Sequence, residues 1–212
     1  MAEIEHHLTE PLLATYAAAN LPQAYALVVA AHVSLCAECR ARLTAHESAG
    51  GAVLEALPGA APSAGLRDRV MAALDAPTPR ETPTPRRSGI FPAPVMAALK
   101  GQPPRWKTLG GGVRQQILHA DGEGSVRLLY IPPGVAVPDH GHGGLELTLV
   151  LQGAFRDETG AFGTGDVEIA GPELEHTPVA DLGLPCICLA ATDAPLRFHA
   201  LIPRLLQPLF RI

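Results

Sequence analysis

Between Ala76 and Pro94 the chain reads Ala-Pro-Thr-Pro-Arg-Glu-Thr-Pro-Thr-Pro-Arg-Arg-Ser-Gly-Ile-Phe-Pro-Ala-Pro, and this run limits the fold more than any other. Proline lacks an amide donor, fixes its own φ and biases the residue before it toward extended backbone. Neither a helix interior nor a central strand passes easily through such a run, so a semi-extended linker is expected. It divides the 212 residues into two pieces of small-domain size. The expected domains are 1–76, a linker over 77–94, and 95–212.

The first piece is rich in Ala and Leu and carries helix signals. Thr9 is placed to cap a helix through Tyr16. Pro22 suits the first turn of a second helix running to about Val33. A third is expected from Cys36 to about Ala49, stopping at Gly50-Gly51, and a fourth from Leu66 to Leu74. Behind the linker the pattern changes to short strands. Val126, Leu128 and Tyr130 alternate with Arg127 and Leu129. Leu145–Leu151 is a dense apolar run, and Val167–Ile169 and Cys186–Leu189 follow between recurrent Gly and Pro turns. The fold class is therefore multi-domain: a small all-α helical domain, then an all-β barrel or sandwich.

Composition narrows function. Apolar residues make up 47% of the chain, enough for a core, but aromatics only 4%, so Leu, Val, Ile and Ala must fill it. A net charge of −5 argues against direct, sequence-independent nucleic-acid binding, which needs a basic surface. No apolar run reaches the length of a bilayer span. The opening Met-Ala-Glu-Ile-Glu-His-His lacks the basic-then-apolar build of a signal peptide. A cytoplasmic location is expected, where four cysteines read as ligands or small buried side chains rather than disulfides.

Two constellations carry chemistry. His32-x3-Cys36-x2-Cys39 lies where the second helix meets the third. Residues three and four apart share a helical face, and two thiolates with one imidazole suit zinc. His7 supplies the fourth ligand from the first segment, with His6 as its immediate competitor. The second constellation is His140, His142 and Glu146, with His176 after a turn and a strand. Equal parity places the first three on one strand face if Gly143-Gly144 introduces no odd bulge. A Glu between Leu145 and Leu147 needs a partner, because an unpaired buried carboxylate is costly. Three imidazoles and a carboxylate suit Zn, Fe, Mn, Ni or Cu almost equally, so the ligand set alone does not fix the metal.

These residues carry resemblances. The order His, helix, His-x3-Cys-x2-Cys, helix resembles the zinc-binding anti-sigma domain of bacteria. The run from Gly134 through His140, His142 and Glu146 to Gly153 resembles the first cupin motif. Gly165 and His176 fit the second motif, while Gly171, Glu173 and Ala180 depart from it. Together, along nearly the whole chain, the halves resemble the ChrR-type family of zinc-binding anti-sigma factors. That likeness implies a double-stranded β-helix (jelly-roll) cupin behind a zinc module. It implies a zinc site at His7, His32, Cys36 and Cys39 and a cupin metal at His140, His142, Glu146 and His176. It also implies an extracytoplasmic-function sigma factor as a 1:1 partner, released in response to singlet oxygen or oxidative stress, and no catalytic residues. Eight acidic side chains against four arginines in residues 1–76 are compatible with a basic, DNA-reading partner. The rival readings are a metal-dependent cupin dioxygenase with a zinc assembly module and a redox-switch zinc protein. Cys186 and Cys188 are expected to be buried strand residues, and Trp106 a core or cap residue of the barrel. His6, His46, His119 and His199 are expected at the surface or in packing.

Overall fold

A computed structural model describes residues 3–75, 77, 85–195 and 197–198. Most of the proline run, His199 and the tail to Ile212 lie outside them. Five helices come first: α1 (Glu10–Ala17), α2 (Gln23–Leu35), α3 (Ala37–Ala56), α4 (Leu66–Leu74) and α5 (Ala93–Ala98). Twelve strands follow. They are β1 (Lys107–Gly110), β2 (Val113–Asp121), β3 (Gly124–Ile131), β4 (His140–Gly141), β5 (Glu146–Gln152), β6 (Ala154–Arg156), β7 (Ala161–Gly163), β8 (Val167–Ala170), β9 (Glu175–His176), β10 (Val179–Ala180), β11 (Cys186–Thr192) and β12 (Arg197–Phe198). A six-stranded sheet has the order β1-β2-β3-β11-β5-β8, faced by two three-stranded sheets, β10-β6-β7 and β12-β4-β9. Every pairing is antiparallel.

The large sheet is covered on both faces. Along β5, Leu147, Leu149 and Leu151 join a core shared with α1, α2, α3 and α5, whereas Val150 joins the barrel interior. β11 divides in the same way: Leu189 and Ala191 face the helices, Cys186 and Cys188 the interior. This double burial is why both strands read as continuous apolar runs instead of alternating ones. Helix α2 is apolar nearly all round because it is packed on several sides: α1, α3 and α5 touch it, and so do β2, β3, β5 and β11. Tyr25 on α2 donates its hydroxyl to the Leu145 carbonyl at 2.7 Å. Burial pushes the ionisation of that hydroxyl upward, so it stays a donor.

Three local expectations are corrected. Helix α3 runs through Gly50-Gly51 to Ala56. Both glycines stand in open space, where glycine costs only about 1 kcal/mol, and the helix stops where Leu57 turns extended (ψ 145°) ahead of Pro58. Thr9 occupies the cap position of α1 without a side-chain bond; Pro11, two residues on, lacks one of the amides such a cap uses. His140 and Glu146 do not share one strand. The chain crosses from one sheet to the other between β4 and β5. At this corner Gly144 admits Asp193, whose Oδ1 would lie 1.9 Å from a Cβ there; that oxygen accepts from the Leu145 amide at 3.0 Å. No single helix among the described residues is long and apolar enough to cross a membrane.

Candidate metal centres

The first cluster forms where three segments meet. His32 sits in the last turn of α2, and Cys36 both ends α2 and caps α3. Cys36 Sγ accepts from the Cys39 amide at 3.4 Å, which draws the two sulfurs together. The extended segment before α1 brings His7 Nδ1 to 3.4 Å from Cys36 Sγ and 3.7 Å from Cys39 Sγ. Ligand atoms of all four side chains lie within 4.8 Å of one another. The outer nitrogen of His7, Nε2, faces Glu38 at 3.3 Å, the support a metal-bound imidazole ordinarily has. Arg42 closes the rim, donating to the Leu8 carbonyl, to Glu10 and to Cys39 Sγ.

His32 carries the strongest chemical hint. Its ring is fully buried, and neither nitrogen makes a hydrogen bond of good geometry, although the Gly165 backbone faces the ring. Leaving two polar atoms poorly paired in a core is costly. Burial also holds the ring well below the usual histidine range, at about 4, so it is neutral and offers a lone pair. Burial likewise pushes the Cys39 thiol up to about 11, so a cation would be needed to favour its thiolate. A donor set of two sulfurs and two imidazole nitrogens fits a borderline-soft divalent ion. His6, the alternative to His7, points the other way, its ring packed at 4.4 Å on Phe162.

The second cluster lies inside the barrel. His176 Nε2 is 3.1 Å from His142 Nε2 and 3.3 Å from His140 Nε2, and all three rings are buried. Register explains two of them, because His140 pairs with His176 across β4 and β9. The Nδ1 atoms point outward: that of His140 reaches the Pro138 carbonyl at 2.8 Å, and that of His176 reaches Asp157 Oδ2 at 2.6 Å. With the remaining protons on Nδ1, as a bound cation would require, the Nε2 lone pairs converge on one point. Glu146 is placed differently from its expected role. Its Oε2 lies 3.4 Å from His142 Nδ1, and its Oε1 accepts from Thr148 at 3.0 Å. Burial opposes its ionisation, but His142, His140 and Thr148 outweigh that and hold the carboxyl below its usual range.

Sequence reading missed Asp157 and Glu168. Both lie against His176 Nδ1, Glu168 Oε1 at 3.3 Å. Asp157 is in turn fixed by the Thr159 amide and hydroxyl and the Gly160 amide. Burial raises the Glu168 carboxyl to about 7. Burial would lower His176, but the two carboxylates outweigh it and raise the imidazole to about 9. The missed signal was available: Glu168 interrupts Val167 and Ile169 as Glu146 interrupts two leucines. Asp157, in a polar loop between β6 and β7, gave none.

The remaining expectations fall into place. Cys186 and Cys188 are buried, free thiols. Trp106 is half-buried, edge-on to Tyr130 at 6.0 Å. His46 pairs with Glu10, and His119 with Asp121.

Comparison with known proteins agrees with both halves. Residues 96–194 match the family described as ChrR Cupin-like domain. The chain is 57% identical over 211 residues to the anti-sigma-E factor ChrR of Cereibacter sphaeroides, covering 99% of each. It also resembles, with a TM-score of 0.80 and 55% identity, a chain in the crystal structure of Rhodobacter sphaeroides SigE in complex with the anti-sigma ChrR, covering 90% of this chain and 100% of that one.

Proposed function

The chain belongs to the family of the anti-sigma factor ChrR, and from that premise we propose that it binds and inhibits an extracytoplasmic-function sigma factor as a 1:1 complex in the cytoplasm. Residues 1–76 form the sigma-binding module, 77–94 the linker and 95–212 the cupin. The reading is regulatory rather than enzymatic. His7, His32, Cys36 and Cys39 hold zinc, which would tie α2, α3 and the segment before α1 into one unit. His140, His142 and His176 hold a divalent metal in the cupin, zinc first among Fe, Mn, Ni and Cu, with Glu146 as the further ligand after a turn of its side chain. The cupin responds to singlet oxygen or oxidative stress by weakening the grip on sigma. Near-complete release, from 1:99 to 99:1, needs a shift of about 5.5 kcal/mol.

One observation carries the sigma-binding reading: the far end of α3 and the whole of α4 present apolar side chains to solvent. Leu66, Val70 and Leu74 recur at four-residue spacing on α4, with Met71 beside them, and Leu74 is 72% exposed. Val53, Leu54 and Leu57 are likewise exposed at the end of α3, Leu54 being 70% exposed. An apolar stripe left open along a whole helix points to a partner that covers it. The acidic excess of this half would draw a basic, DNA-reading protein toward that surface. The test is co-purification of the full chain with its sigma factor. Val70→Asp with Leu74→Asp is expected to abolish the complex while helix content and metal content stay unchanged. A complex of undiminished affinity would refute the assignment of this surface.

A further inference from the structure

The segment that delivers His7 is held from the cupin side. Asp166 is 5% exposed, at the turn between β7 and β8. Its Oδ1 accepts from the amides of Glu5 at 2.8 Å and His6 at 2.9 Å. Its Oδ2 accepts from the Gly163 amide at 2.7 Å, which fixes the carboxylate within its own turn. The Val167 amide donates back to the His6 carbonyl at 3.3 Å. Gly165, at φ +102°, leaves room for Ile4; a Cβ there would lie 2.7 Å from that side chain. Residues 4 to 6 are thus fastened to residues 162–167 by packing and three hydrogen bonds, and the next residue is His7. His6 and His7 point to opposite sides, one onto Phe162 and the other onto the two sulfurs. Fixing the backbone at His6 therefore fixes where the His7 ring goes.

We propose that Asp166 is a positioning residue of the N-terminal metal site, supplied by the cupin. The proposal rests on the reading of His7, His32, Cys36 and Cys39 as metal ligands. The helical half alone holds three of the donors on or beside α2 and α3, but the fourth arrives on a segment whose amides are bound by a residue more than 150 positions away in sequence. Two residues beyond Asp166, Glu168 lies against His176, so the wall that holds His7 also holds a histidine of the second cluster.

The test uses the full chain loaded with zinc, and in parallel with cobalt(II), whose thiolate charge-transfer absorption reports Cys36 and Cys39. Absence of that absorption in the unmodified chain, or its survival when Cys36→Ala and Cys39→Ala are combined, would defeat the metal reading itself. With the absorption present, Asp166→Ala is expected to speed chelator-driven loss of metal by about ten- to a hundredfold, the range seen when a ligand's outer support is removed. It is also expected to speed hydrogen exchange at the Glu5 and His6 amides. Asp166→Asn keeps an oxygen facing those amides and should restore retention toward the original. Should Asp166→Ala fail to fold by circular dichroism, Ile4→Ala decides, because it removes the packing of that segment on Gly165 and leaves the turn and its carboxylate unaltered. Metal release and amide exchange unchanged in a folded variant overturn the proposal.

Discussion

Replacing His32 with leucine should remove one defined part of the pH dependence of the chain's stability. The unfolded chain binds a proton on this imidazole near the ordinary value of 6.5, whereas burial holds the folded ring at about 4. Above pH 6.5 both states are neutral here, and stability does not depend on this residue's titration. As pH falls through 6.5 the unfolded state is protonated first, so stability declines until about pH 4, below which both states carry the proton. The separation of the two values corresponds to about 3 kcal/mol. Leucine removes the titration and also the two ring nitrogens that lack a hydrogen bond of good geometry. The assay is urea unfolding of chelator-treated protein at intervals from about pH 7.5 to below 4, following helix content. The difference between the two chains cancels titrations that they share, such as those of His140 and Glu168. The original chain should lose about 3 kcal/mol more than His32→Leu across the window. Parallel profiles would show that the His32 ring is not buried without a good hydrogen bond, and the argument for a metal there would lose its main support.

Two further outcomes follow from other parts of the structure. Asp157→Asn weakens the support of His176 Nδ1, so metal analysis should find cupin affinity down by about ten- to a hundredfold; sigma binding should persist while induction by singlet oxygen fails. Leu189→Ala opens a cavity between the large sheet and the helices and should cost about 2–5 kcal/mol. Thermal unfolding should then show the helical and strand signals falling together, and two separated transitions would contradict a shared core.

Much of this arrangement can be read from residue order. The proline run falls near the change from helices to strands, but α5 begins inside it at Ala93 and lies beyond the expected boundary. His32-x3-Cys36-x2-Cys39 marks the meeting of α2 and α3, yet the single-helix spacing argument does not hold across it, because Cys36 is extended between them. His140 and His176 are legible as a pair only through the cupin resemblance, since nothing local relates residues so far apart. The equal parity of His140, His142 and Glu146 misleads, because the period-two argument assumes one continuous strand and Gly143-Gly144 lets the chain change sheets. Strand β1, at the edge of the large sheet, and β2 beside it are hidden by their polarity, since neither is buried enough to need a continuous apolar run. The packing of α2 on the sheet is hidden for the opposite reason. A helix apolar all round, such as Gln23–Leu35, looks the same whichever neighbours bury it, although the unbroken apolar run of β5 already implies a cover on its second face.

Cys36 is where one helix ends and the next begins, and the chain turns there through 117°. Helix α3 extends 20 residues from that point, a rod of about 30 Å. Tilting it by about 10° about its sulfur-bearing base would swing the distant tip by about 5 Å. Leverage of this kind would turn a small loosening around the two thiols into a misaligned apolar tip, so an ion bound at the pivot would govern a surface that it never touches.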